Sequence, residues 1–273
     1  MADRRIRRRK TPARDQLRIR NGLSIIPSLF TIGNIFCGYY ALLAAYNADY
    51  DTAAKAIGFG VLLDGLDGRI ARLTKTSSDF GVQLDSLADF LTFGAAPAML
   101  AFRWAFAIKG IGGEVVLLAL RFCSLTTFAF VVSGALRLAR FNIQSQKPPD
   151  ATAKRHFVGL PIPAGAGLIA AIVHFLKDPI LQVGSSLLWS LLVLLAAILM
   201  ISTVRYPSFK ELNVMKYGAR FVYLAAAMAI YLLFYYSEYV LLVLAVAYVS
   251  SGPIAKLVHV VRRFLAGAAT AET

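Results

Sequence analysis

An all-α, polytopic transmembrane helical bundle is the fold class this sequence predicts, and three observations lead there. Hydrophobic side chains make up 58% of the 273 residues, mean hydropathy is +0.63 and only 16% of residues are charged. A soluble chain of this length needs far more polar surface. Apolar runs of about 20 residues, enough to cross a bilayer, follow one another along most of the chain. The basic residues between those runs fall overwhelmingly on one side.

Taken in order, residues 1–27 form a basic juxtamembrane segment in which Arg4, Arg5, Arg7, Arg8, Arg9 and Lys10 precede the first apolar span. Such a cluster attracts anionic headgroups and holds the N-terminus in the cytoplasm. No short apolar core with a small-residue cleavage site follows closely, so it is not read as a cleaved signal. A transmembrane domain is expected over 28–260, with about eight spans near 28–47, 53–72, 86–107, 115–141, 160–176, 184–204, 219–236 and 239–258. The second is the least apolar because it carries Asp64, Asp67 and Arg69. The last two are separated only by Ser237 and Glu238, which allows a tight hairpin or one long kinked helix. Residues 261–273 are expected to be a cytoplasmic tail, disordered from 266 onward.

Charge gives the orientation. With the N-terminus inside, all but five of the 29 Lys and Arg fall on the inner side. The five are Lys55, Arg103, Lys109, Arg121 and Lys177, and the acids Asp49, Asp51, Glu114, Asp178 and Glu238 also lie on the outer side. This asymmetry predicts an even number of spans in a bacterial-type cytoplasmic membrane, with both termini facing the cytoplasm. The net charge of +14 therefore reflects membrane orientation, and no basic-aromatic surface for nucleic acid follows it. Cys37 and Cys123 lie in apolar stretches without CxxC spacing and read as core residues. His156, His174 and His259 form no ligand-spaced set.

The chemistry-bearing feature runs from Asp64 to Asp89, where Asp64, Asp67, Asp85 and Asp89 all fall at membrane depth. Each intramembrane charge costs about 2.5–3.5 kcal/mol on insertion scales. Four carboxylates so close repel one another unless a cation lies among them, and a hard divalent metal with oxygen ligands fits. On a helix, Asp64 and Asp67 share a face with Gly68 and Ala71, so two carboxylates stand beside two small residues. That lets a bulky ligand approach the backbone, with Arg72 one position round to meet a phosphate. Gly81, Asp85 and Asp89, four apart, make a second stripe. Spans two and three, joined by a short loop, are expected to pack antiparallel so that the stripes face each other around one or two metals at the cytoplasmic end. A carboxylate less committed to metal can accept a proton from an attacking alcohol.

These residues read D-x2-D-G-x2-A-R-x8-G-x3-D-x3-D, with every fixed position present, and the pattern resembles the signature of the CDP-alcohol phosphotransferases. The resemblance implies that Asp64 and Asp85 bridge two divalent ions, Mg²⁺ or Mn²⁺, with Asp67 and Asp89 completing one site each. It implies that Asp89 is also the general base and that Gly68, Ala71, Arg72, Ser78 and Gly81 line the CDP site. It further implies a six-helix core, leaving two spans outside it, and a homodimer.

Further segments resemble the phosphatidylserine synthase branch of that family: Thr31 to Gly38, Asp85 to Phe90, Phe93 to Pro97, Ala135 to Asn142 and Gly159 to Pro163, within residues 24–175. This implies that CDP-diacylglycerol and L-serine are converted to phosphatidylserine and CMP. Arg137 and Arg140, three apart near the inner end of span four, either bind the acceptor's carboxylate or a phosphate, or anchor the helix at the interface. Asn142 is a further acceptor-site candidate. Asn34 either hydrogen-bonds the nucleotide, as the resemblance suggests, or joins two helices. Alternatives within the same chemistry are glycerol 3-phosphate, inositol phosphate or an archaeal ether lipid as substrate. A cation transporter is the non-enzyme alternative, although its carboxylates would be spread across membrane depth. The absence of H-x-K-x4-D argues against the phospholipase-D-like route.

Overall fold

The computed structural model describes residues 25–74, 79–105, 113–145, 156–207 and 219–271. The basic segment before residue 25 and Ser78 lie outside the described residues, as do the side chains of Asp67, Ala71 and Arg72 on their helix.

Among the described residues the chain forms eight helical rods and one small ribbon. In chain order these are α1 (Ile25–Tyr46), α2 (Tyr50–Thr74), a third rod built from α3 (Asp79–Asp89), a π-helical segment (Phe90–Ala95) and α4 (Ala96–Ala105), then α5 (Glu114–Ser145). Strand β1 (His156–Val158), α6 (Ile162–Leu176), α7 (Val183–Ile201), β2 (Arg205–Pro207), α8 (Ala219–Tyr235) and α9 (Ser237–Ala271) complete it. The eight rods coincide with the eight expected spans to within a few residues at most ends. Four of them are long and apolar enough to cross a membrane on length and composition alone, over Leu29–Tyr46, Glu114–Gln144, Val183–Ile201 and Ser237–His259.

Burial follows membrane logic. Along α7, Ser186 and Ser190 are buried with Trp189, Val193, Ala196 and Ala197, whereas Leu188, Leu191, Leu195 and Ile198 point outward. A helix that hides serines and presents leucines expects lipid around it. The α1–α2 hairpin packs on small residues, with Ala41, Ala44, Ala45, Ala53 and Ala54 all buried. Asp49 starts α2 by accepting the Thr52 backbone N–H at 3.2 Å, which satisfies one orphan donor of the first turn.

Three local features depart from the sequence reading. The third rod is not a plain helix: Pro97 has no N–H for the Phe93 carbonyl, and the Ala96 N–H reaches Leu91 O, five residues back. Residues 160–161 precede the helix instead of opening it, because β1 pairs antiparallel with β2 (Phe157 opposite Tyr206) and the chain turns at Gly159, φ +81°, before α6. Helix α9 also continues to Ala271, through the residues expected to be a disordered tail. Ala266, Ala268, Ala269 and Ala271 are strong helix formers, and one Gly267 among them does not end the helix. The break at Tyr236 makes α8 and α9 two helices and not one.

Several of the charges expected on the outer side are capped or paired. Arg103 donates to the Tyr46 and Ala45 carbonyls at 2.8 and 3.4 Å, neutralising the C-terminal end of α1. Lys55 pairs with Asp51 at 2.7 Å and Lys177 with Glu238 at 2.5 Å. His174, buried in α6, meets Asp51 through Nδ1 at 2.5 Å and Ser237 Oγ through Nε2 at 3.0 Å. This clasp ties α2, α6 and α9 together. Burial alone raises the Asp51 pKa, but hydrogen bonds from Lys55 and His174 outweigh it and hold the carboxyl below its ordinary 3.8. Its stabilising contribution is therefore full above 3.8 and is lost as pH falls through the lower native value. Thermal unfolding of wild type and Asp51→Asn across acidic pH should show a gap that closes on acidification; a gap independent of pH would contradict this.

Candidate active site

Asp64 comes from α2, and Asp85 and Asp89 from successive turns of α3. One carboxylate oxygen from each lies within 4.8 Å of the other two, and all three residues are half-buried. Asp64 of the first stripe thus meets Asp85 and Asp89 of the second. Helix α1 packs against both α2 and α3, so the carboxylates meet across a gap that α1 closes from one side. Unit charges at that spacing repel by about 3 kcal/mol per pair at an effective dielectric of about 20. An all-oxygen donor set at this separation suits a hard divalent cation.

The support around the cluster comes from α1 and the π segment. Asn34, 1% exposed, donates from Nδ2 to Asp89 Oδ1 at 3.4 Å, and its own carbonyl accepts the Thr92 hydroxyl at 2.8 Å. Asn34 Oδ1 is buried without a hydrogen-bond partner among the described residues, an acceptor left over beside three carboxylates. Asn34 thus does link two helices, and it does so at Asp89 itself. The π segment starts immediately after Asp89 and shifts the helical phase between Asp89 and α4. Such insertions are common beside functional residues.

Small residues leave room on the α2 side. A Cβ built at Gly68 meets nothing within 4 Å, so no packing requirement explains glycine there. Gly68→Ala should leave thermal stability unchanged or slightly raised, since Ala exceeds Gly in helix propensity by about 1 kcal/mol. The same variant should bind CDP-lipid more weakly, seen as a raised KM; an unchanged KM would remove Gly68 from the site. Gly81 opens the α3 stripe one turn before Asp85.

The acceptor candidates sit on α5. Arg137, 9% exposed, donates from Nε to the Leu160 carbonyl at 2.5 Å, and Arg140 donates to the Ile201 carbonyl at 2.8 Å. Burial makes Arg137 a different object from an interfacial anchor: it holds the chain between β1 and α6. Asn142 Nδ2 donates to Ser86 Oγ at 3.0 Å, which fixes α5 to α3 between Asp85 and Asp89. The sequence reading missed Ser86 and Thr92. Both lie in or beside the quoted Asp85–Phe90 and Phe93–Pro97 runs, and the polar residue at membrane depth was the available signal.

The sequence matches the CDP-alcohol phosphatidyltransferase family over residues 24–199. That range takes in the first five rods and most of the sixth, α7, and leaves α8 and α9 outside. Among similar proteins, one of Helicobacter pylori named CDP-diacylglycerol–serine O-phosphatidyltransferase is 36% identical over 199 residues, covering 71% of this chain and 76% of that protein. One of Bacillus subtilis with the same name is 36% identical over 190 residues, covering 69% and 93%. A third, of Methanocaldococcus jannaschii, is 34% identical over 184 residues, covering 67% and 74%.

Proposed function

The chain belongs to the CDP-alcohol phosphatidyltransferase family, and from that premise we propose that it transfers the phosphatidyl group of CDP-diacylglycerol to L-serine, giving phosphatidylserine and CMP. The observation that carries this reading is the convergence of Asp64, Asp85 and Asp89 within 4.8 Å in an apolar bundle. Relatives named for the serine reaction support the choice of acceptor.

Asp64, Asp85 and Asp89, with Asp67 from the same stripe as Asp64, would hold divalent cations, two Mg²⁺ or Mn²⁺ ions. Bound there, the ions supply charge neutralisation for the pyrophosphate and for departing CMP. The small face at Gly68, Ala71 and Gly81 admits the nucleotide, with Arg72, Ser78 and Asn34 as its polar contacts. Asp89, oriented by the Asn34 amide, accepts the proton of the serine hydroxyl. The serine oxygen then attacks the phosphorus bearing the diacylglycerol, and the bond from that phosphorus to the oxygen of CMP breaks. Arg137, Arg140 and Asn142 line the acceptor side, where a guanidinium complements the serine carboxylate.

The bundle is an integral membrane protein whose active site and termini face the cytoplasm, where serine and nucleotide are soluble. Its domain is residues 28–260, with the basic 1–27 segment against anionic headgroups and the end of α9 as a cytoplasmic extension. It acts as a homodimer. The decisive assay incubates purified protein and CDP-diacylglycerol with radiolabelled serine, glycerol 3-phosphate or inositol phosphate. Lipid product with serine alone is expected; product with another alcohol and none with serine would overturn the assignment.

A further inference from the structure

Helix α9 carries a notch that the family match does not reach. Pro253 has no N–H to give the Val249 carbonyl four residues back, and in a membrane helix such a freed carbonyl needs a donor. The Tyr206 hydroxyl of β2 supplies it at 3.2 Å. Gly252 makes room for the ring: a Cβ there would come within 2.5 Å of Tyr206 Cζ and 2.6 Å of its Cε1. Tyr206 is fully buried and packs on Tyr248 of α9 with ring centroids 5.8 Å apart. The Tyr248 hydroxyl donates to the Pro207 carbonyl at 3.4 Å.

The contact continues inward from β2. Beyond the β1–β2 pairing, Gly159 N–H donates to Val204 O at 2.8 Å and Leu160 N–H to Leu199 O at 3.0 Å. The Leu160 carbonyl in turn accepts the Arg137 Nε–H. Arg137 also lies near enough to Asp89 and Tyr248 to interact with both electrostatically. An unbroken path of contacts therefore runs from the Gly252–Pro253 notch, through Tyr206 and the ribbon, to the buried Arg137.

We propose that α9 is a positioning element for the acceptor site: Tyr206, seated in the Gly252–Pro253 notch, fixes the Leu160 carbonyl and thereby the guanidinium of Arg137. Tyr206 and Tyr248 are positioning residues that touch no substrate. The inference rests on the reading of serine as acceptor and Arg137 as its partner, and it gives one of the two helices outside the family core a role in that core's chemistry.

Steady-state kinetics of Tyr206→Phe test it, because that variant loses only the hydroxyl. The serine KM should rise about tenfold while kcat and the CDP-diacylglycerol KM stay within about twofold. Adding Pro253→Ala restores an N–H for the Val249 carbonyl and so repairs the helix but not the ribbon contact. Melting temperature should then recover while the serine KM stays high, a split that a purely structural role does not produce. In an Arg137→Lys background, Tyr206→Phe should add nothing further to the serine KM. An unchanged serine KM, equal rises for both substrates, recovery of KM together with melting temperature, or additivity with Arg137→Lys would each overturn the proposal. Failure of the serine reading itself looks different, since wild type would then make no phosphatidylserine; the same variants are then compared on the KM of the alcohol that is used.

Discussion

Asp89→Asn will lower CMP formation by at least about a thousandfold, because on the proposed mechanism it removes the general base and a metal ligand in one step. The variant will not be less stable than wild type in EDTA. Asn has nearly the shape of Asp, its side-chain oxygen can still accept the Asn34 amide hydrogen now given at 3.4 Å, and one charge leaves a cluster whose oxygens lie within 4.8 Å. Without a cation that cluster is repulsive, so the wild type gains most from added divalent metal. Melting curves in detergent with EDTA and with Mg²⁺ should show a large metal-induced rise for wild type and a small one for Asp89→Asn. A variant that loses stability in EDTA would mean that Asp89 is a structural hydrogen-bonding residue; one that keeps full turnover would remove it from the chemistry.

Gly38→Ala is expected to destabilise the bundle by about 2–3 kcal/mol, an overpacking cost at the upper end of the usual range. The added Cβ would stand 2.5 Å from Thr92 Oγ1, 2.9 Å from Thr92 Cα and 3.1 Å from Thr92 N, and backbone of the π segment cannot swing aside. Gly60→Ala meets the same residue differently, at 2.6 Å from the Thr92 methyl carbon. Thr92→Ser deletes that methyl and keeps the hydroxyl that donates to Asn34 O. Thr92→Ser should therefore rescue the melting temperature of Gly60→Ala and fail to rescue Gly38→Ala. Equal rescue of both, or a wild-type melting temperature for Gly38→Ala, would contradict the close approach of α1 to the π segment. Activity should fall with Gly38→Ala as well, since Thr92 donates to the Asn34 carbonyl one turn from the Asn34–Asp89 contact.

These two cases mark what the sequence could and could not disclose. The rods were legible because hydropathy and charge bias are local sums over about 20 residues. The aspartate stripes were legible because helical spacing alone puts Asp85 with Asp89, and a repulsive cluster invites a cation. Thr92 was not legible: its importance comes from α1 and α2 closing on it through Gly38 and Gly60, contacts between distant segments. Arg103 read as an outlying positive charge, while its job, capping α1 across 57 residues of sequence, depends on tertiary packing. For Arg137 the sequence leaves a substrate contact and an interfacial anchor both open, because hydropathy cannot tell a buried guanidinium from a snorkelling one. The Tyr206 notch required seeing that Pro253 orphans a carbonyl and that a strand lies opposite it.

The central claim, that the carboxylate cluster carries a metal-dependent transfer to serine, is tested most directly by following both products at once. Purified protein, CDP-diacylglycerol and labelled serine should yield phosphatidylserine and CMP in equal amounts with Mg²⁺ or Mn²⁺ present. Both products should vanish with EDTA and return when the ion is restored. Phosphatidylserine formed undiminished in EDTA, or CMP released at full rate without serine, would contradict it.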